Sequence, residues 1–198
     1  MEGEFHRRNL PHLYFDNGIY FITYHLANSI PAGALIKLKE EKVINLGLQE
    51  SHLFIKYDNL LHSANNGINY LTIPEIIEIS RFTIQYPDGK DYKIICYCIM
   101  PNHIHLVFEL LNRNKGVSKI MQSIKRISSR KSNLFLQREG KFWQDESYDR
   151  WVRDDKELYF IIRYILWNPV EAGLVSDWKD WEYTYCNENY RGFESSTD

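Results

Sequence analysis

His103-Ile104-His105 is the segment of this chain where residue type and spacing most directly suggest chemistry. Side chains alternate faces along a strand, so residues two apart point the same way. Both imidazoles would converge on one side while Ile104 turns toward the core. Two convergent imidazoles make a natural ligand pair for a divalent metal. The same pattern also fits two polar positions on the exposed face of a strand, and spacing alone does not separate the readings. Glu109 shares the parity of the histidines. At ~3.3 Å per residue it lies about 13 Å along the strand from His105, which makes it a surface residue. Cys96 and Cys98 sit two apart in an apolar run and read as buried strand residues rather than ligands. With Cys186 they make an odd count without framework spacing. That argues against a disulfide-rich secreted domain and for a reducing compartment.

The flanks sharpen this reading. Met100-Pro-Asn-His-Ile-His-Leu-Val-Phe108 resembles the MPNHxH motif of the REP-associated tyrosine transposases, part of the larger family of single-tyrosine, His-hydrophobic-His transposases. Arg8-Asn-Leu-Pro-His12 followed by Tyr20-Phe-Ile-Thr23 is similar to that family's N-terminal arm and first strand. Phe142-Trp-Gln144, Tyr148-Asp-Arg150 and Val152-Arg-Asp154 resemble its middle signature. Tyr164-Ile-Leu-Trp-Asn-Pro-Val-Glu-Ala-Gly-Leu-Val175 resembles its YIxxNPVxAGLV motif. The resemblance runs in order from about Arg7 to Tyr185.

In that family the tyrosine opening the YIxxNP motif is the nucleophile, so the resemblance places that role on Tyr164. A phenol, with a pKa near 10, is a poor nucleophile at neutral pH. A metal polarising the scissile phosphate, with nearby positive charge, can compensate. The implied reaction is attack on DNA phosphorus with departure of the 3′-hydroxyl. It leaves a 5′-phosphotyrosine and conserves the bond energy for rejoining. Asn168 lies one helical turn after Tyr164, on the same face. Its amide oxygen would complete a metal site with His103 and His105; alternatively it caps a helix before Pro169. Two imidazoles, an amide oxygen and phosphate oxygens suit Mg²⁺ or Mn²⁺, with the imidazoles favouring Mn²⁺. The implied partner is single-stranded or hairpin DNA, because the family is associated with palindromic repeats. His12 and His25 read as structural or DNA-facing. Trp143, Trp151, Trp167, Trp178 and Trp181 read as core or helix-docking residues, of which one or two could stack on unpaired bases.

The elements that must position these groups are partly legible. Gly18–Leu26, Tyr92–Met100 and His103–Leu110 read as strands, the last two as an antiparallel pair split by Pro101-Asn102. Leu35–Lys56 reads as a helix, and 60–69 as loop. A second helix starts with Thr72 as N-cap and runs to about Gln85. A third spans Gly116 to about Leu136, with Val117, Ile120, Met121, Ile124 and Ile127 as its apolar stripe. A fourth spans Asp154–Trp167 and ends at Asn168-Pro169, with Gly173 marking a turn. The expected class is α+β. The resemblance implies a ferredoxin-like antiparallel sheet with helices packed on one face. Residues 1–186 form the expected domain and 187–198 a loose polar tail.

Charge is unevenly spread in a chain of 198 residues with a net charge of −2. Residues 112–141 hold nine Lys and Arg against one acid, Glu139, whereas residues 142–198 are strongly acidic. The basic block is either a polyanion footprint or a solvated helix face. Read as a footprint, it places Lys115, Lys119, Arg126 and Arg130 on phosphates, and the arm residues Arg7 and Arg8 in a groove or on a hairpin base. No stretch approaches a membrane span of ~18 apolar residues. The N-terminus lacks the apolar core of a signal peptide, so a cytoplasmic, nucleoid-associated protein is expected. The expected activity is metal-dependent cleavage and joining of single-stranded DNA. Its rivals are a domesticated hairpin-binding protein that does not cut and a hydrolase that uses water as nucleophile. A homodimer is required only if the tyrosine helix is exchanged between chains.

Overall fold

The computed structural model describes residues 6–8, 10–12, 17–30, 58–61, 68–111 and 115–194. The helix expected over Leu35–Lys56 lies outside these residues. So do the side chains of Arg7, Arg8 and His12, although their backbones form a small hairpin of β1 (His6–Arg8) and β2 (Leu10–His12). The main sheet holds β3 (Ile19–His25), β4 (Tyr92–Ile99), β5 (His103–Leu110), β6 (Tyr148–Val152) and β7 (Thr184–Cys186). All its pairings are antiparallel, in the order β6-β3-β5-β4-β7. Helix α1 (Pro74–Gln85) joins β3 to β4, and α2 (Gly116–Phe135) joins β5 to β6. That β-α-β-β-α-β order, with β7 added at one edge, is the expected ferredoxin-like arrangement.

The expectation of helices on one face holds only for α1 and α2. Their apolar residues pack on Tyr20, Ile22, Tyr24, Leu106 and Phe108. The third helix, α3 (Asp155–Glu171), covers the opposite face through Leu158, Ile162 and Ile165, against Phe21, Val107 and Cys98. The cause is visible in the strands. Both parities of β3 and β5 are buried, so each face needs a cover. A bulge at Ile95 switches the parity of β4. Tyr92 and Ile94 face α1 and α2 before it, and Tyr97 and Ile99 do so after it. Ile95, Cys96 and Cys98 face α3. All three cysteines are buried free thiols, as expected of Cys96 and Cys98.

Local departures from the expected elements have local causes. Helix α1 begins at Pro74 after Ile73, not after Thr72, whose hydroxyl instead donates to Asn69 O within a 3-10 turn. On α2 the buried stripe runs Val117, Ile120, Met121, Ile124, Ser128 and leaves Ile127 at the surface. Ser128 is tolerated there because its hydroxyl donates to Ile124 O and accepts from Trp143 Nε1. Helix α3 does not stop at Asn168-Pro169. It ends one turn later, where Gly173 adopts φ +71 and Leu174 N donates to Pro169 O, with Gly173 N donating to Val170 O. This is a glycine-closed Schellman end, and it is stronger than the bias imposed by proline on its predecessor. Residues 58 to 61, where the expected loop begins, are helical. The expected loose tail begins with a 3-10 helix, Glu188–Glu194, and Tyr190 packs on the core beneath α3. No helix of the described residues is long and apolar enough to cross a membrane.

Candidate active site

The two histidines leave β5 on the α3 side of the sheet, and both are buried. Their rings meet at 78° with centroids 4.7 Å apart, and the two Nε2 atoms are 3.0 Å apart. The reading as exposed polar positions is therefore excluded. Each outer nitrogen has a holder. His103 Nδ1 lies 2.6 Å from Asn102 Oδ1. The amide of Asn102 is oriented in turn, because its Nδ2 donates to Leu61 O at 2.9 Å. An amide oxygen only accepts, so His103 carries its proton on Nδ1 and aims the Nε2 lone pair into the site. His105 Nδ1 is held at 2.8 Å by Thr23 Oγ1. Thr23 and His105 face each other because β3 and β5 pair them in register.

A third group joins the imidazoles from a segment in which sequence pattern marks no site. Asp58, buried at the start of the 58–61 turn, places Oδ1 3.5 Å from His103 Nε2 and 3.4 Å from His105 Nε2. The ligand atoms of Asp58, His103 and His105 all lie within 4.8 Å of one another. Two imidazole nitrogens and one carboxylate oxygen, buried and convergent, are a fit donor set for a divalent cation. Asp58 lies 45 residues before His103 in the chain, so no local spacing reveals it. The turn carrying it is tied to the β4–β5 connection through the Asn102–Leu61 bond.

Helix α3 brings Tyr164 and Asn168 to the same cluster. The Tyr164 ring stands edge-on to His105, with centroids 5.8 Å apart at 76°. Its hydroxyl donates to Asp58 Oδ2. Asn168 Nδ2 donates to the same Oδ2 at 2.9 Å and lies 3.3 Å from the Tyr164 hydroxyl. Asn168 is thus a buried interior helix residue and not a cap. It presents its amide nitrogen to the cluster. The carboxylate is shared: Oδ1 faces the imidazoles, and Oδ2 holds the tyrosine and the amide. Burial, the Asp58 charge and the Asp58 hydrogen bond together push the Tyr164 hydroxyl well above the ordinary tyrosine value, while the Asn168 hydrogen bond pulls slightly the other way. The helix that carries Tyr164 packs on the sheet of its own chain, so one chain assembles the whole cluster.

The structure does not bring every expected site residue together. Lys119, Arg126 and Arg130 are exposed on α2, and Lys115 at its N-cap, and α2 covers the other face of the sheet from Tyr164. Lys115 is bonded to Asp91 at 2.6 Å. Lys115, Lys119 and Arg126 border a surface groove of about 390 Å³ with Gln122 and Ser123. Glu109 is half-buried at the far end of β5, away from the cluster. His25, opposite His103 in register, is bound through Nδ1 to Leu26 O at 3.0 Å and Ser29 Oγ at 2.7 Å, a structural arrangement.

Comparison with known proteins adds an independent line. Residues 69–167 match the profile of the family described as "Transposase IS200 like". A Haemophilus influenzae protein assigned as a REP-associated tyrosine transposase is 30% identical over 102 residues, covering 47% of this chain and 58% of that protein. The REP-associated tyrosine transposase of Escherichia coli K12 is 24% identical over 110 residues, covering 55% of this chain and 64% of that one. The matched region thus spans about three-fifths of the length of these relatives. Among solved structures, a REP-associated tyrosine transposase bound to a REP hairpin superposes with a TM-score of 0.59 at 16% identity, covering 97% of this chain and 93% of that one. That likeness is one of fold.

Proposed function

Because this chain belongs to the family of IS200-like transposases, we propose that it cuts and rejoins single-stranded DNA beside hairpin-forming repeats, with Tyr164 as the nucleophile. One observation carries the proposal: the Tyr164 hydroxyl and the His103–His105 pair converge on the two oxygens of one buried carboxylate, Asp58. A water-using hydrolase has no need of a phenol held at that point. The named relatives and the hairpin-bound neighbour support DNA hairpins as the substrate class.

His103, His105 and Asp58 would hold a divalent cation, for which Mg²⁺ or Mn²⁺ are the fitting choices. When bound, the cation would polarise the scissile phosphate and offset negative charge at the reacting centre. The remaining work falls to the chain itself. Asn102 and Thr23 fix the rings. Asn168 positions the Asp58 carboxylate and the tyrosine hydroxyl, the role its amide nitrogen favours over that of ligand. In cleavage the Tyr164 O–H bond breaks and a new O–P bond forms. The P–O3′ bond breaks, and the departing 3′ oxygen takes up a proton. The products are a 5′-phosphotyrosine and a free 3′-hydroxyl, so religation is the same step reversed. A single chain suffices for this chemistry, and a cytoplasmic, nucleoid-bound enzyme fits the substrate. Residues 1–186 would form the working domain.

The test is a denaturing gel with labelled hairpin oligonucleotides from the DNA flanking its own gene, with Mg²⁺ or Mn²⁺. A protein-linked DNA band that needs metal and is lost in Tyr164→Phe is the expected result. Cleavage without that band would establish the water hydrolase instead. Binding without any product would establish a domesticated binding protein.

A further inference from the structure

Tyr164 sits within a stripe on the outward side of α3 whose other residues the cleavage chemistry does not use. Phe160, Arg163, Tyr164, Trp167 and Glu171 recur at helical spacing and line one open groove of about 470 Å³. Phe160 is 54% exposed and Trp167 39%, although both are large apolar rings. The Phe160 ring is held edge-on by Tyr159, with centroids 5.5 Å apart at 71°. Trp167 lies seven positions after Phe160, which is ~10.5 Å along the axis at 1.5 Å per residue. Tyr164 lies between them along the helix and lines the same groove, as does its neighbour Arg163.

We propose that this groove is a single-strand reader in which Phe160 and Trp167 stack the bases on either side of the scissile phosphate and Arg163 contacts the backbone between them. The proposal rests on Tyr164 being the nucleophile. An aromatic face accepts any base, since every base offers a π-face, whereas a guanidinium meets phosphate oxygens. A second protein copy is a poorer occupant on two counts. Covering the groove would shut the phosphate away from Tyr164. The stripe is also broken by Arg163 and Glu171, whereas the core of a protein–protein interface is depleted of charge. Stacking there would set which phosphate meets the tyrosine, a register that the buried cluster cannot impose alone.

The experiment compares a single-stranded oligonucleotide with an otherwise identical one made abasic at two adjacent positions. Binding is measured without metal, so that no cleavage intervenes. The wild-type chain should prefer the intact strand, and Phe160→Ala and Trp167→Ala should each erode that preference by about 5- to 150-fold. Trp167→Phe should retain most of it. Arg163→Gln should weaken both strands alike and lower the salt slope by about 0.7. No preference in the wild type, or a preference untouched in both alanine variants, would overturn the reader. So would a self-association that the two variants abolish while single-strand binding stays the same. Circular dichroism confirms that these surface variants fold. The adduct assay reads Tyr164 separately, so an adduct without a base preference sinks only the reader. A base preference without an adduct sinks the assignment of the nucleophile.

Discussion

Asp58 concentrates the energetics of the cluster, because one carboxylate serves the imidazoles through one oxygen and the α3 side chains through the other. Asp58→Asn keeps the shape and removes the charge. It should weaken Mn²⁺ binding at least about tenfold by isothermal titration, with the fold intact by circular dichroism. Wild-type affinity in that variant would remove Asp58 from the ligand set. Asn102→Ala tests the shell behind the ligands. Loss of its hold on His103 Nδ1 should cost about 10- to 100-fold in metal affinity. His25 offers a pH signature. Burial lowers its pKa to about 4, opposed by its bond to Leu26 O and assisted by the Lys125 charge. A histidine kept neutral by folding contributes stability that is whole above pH ~6.5 and is lost as pH falls toward 4. The full effect is at most on the order of 3 kcal/mol. Urea denaturation at pH 7 and pH 4.5 should therefore show a smaller acid loss in His25→Gln than in the wild type.

At the scale of elements, α3 does the most positioning. Its N-terminus is set by Asp154, which stands one residue before the helix as its cap, its side chain accepting from Glu157 N at 2.8 Å. Its far end is set by Gly173 in the left-handed region. No atom lies within 4 Å of a Cβ built at Gly173, so a substitution there meets strain but no clash. Gly173→Ala should cost about 1–2 kcal/mol in urea denaturation, the penalty of a left-handed alanine. A smaller effect would mean that the end is held by packing alone. The rule that a helix closes before proline fails here. Pro169 sits inside the buried face of α3, and tertiary contact outweighs one missing hydrogen bond. Strands β6 and β7 left weak signals in the sequence: β6 is a short edge strand of mixed polarity, and β7 has three residues. Their pairing with β3 and β4, not their composition, makes them strands.

At the scale of the molecule, the sheet separates two surfaces, with the basic face of α2 on one side and the tyrosine cluster on the other. Phosphate binding on α2 and metal binding should therefore be independent. Lys119→Ala with Arg126→Ala should reduce the salt slope of hairpin binding by about 0.9 for each duplex phosphate no longer neutralised. Mn²⁺ affinity should not change. A simultaneous fall in both would mean that the two faces communicate through the sheet. The sequence by itself determined what depends on neighbours in the chain. The period-2 pattern around His103 and His105 set their common face, and the helical period set the buried stripe of α2 from Val117 to Ile124. The ordered motifs from Met100 to Val175 set the family. Only the tertiary structure decided what depends on long-range pairing. The register of β3 on β5 delivers Thr23 to His105, and the bulge at Ile95 aims Cys98 beneath α3. The covering of both sheet faces buries the histidines. Asp58 crosses 45 residues of chain to reach His103. A carboxylate carries no periodic signature of its partners, so its place is fixed only when packing brings separate segments to one point.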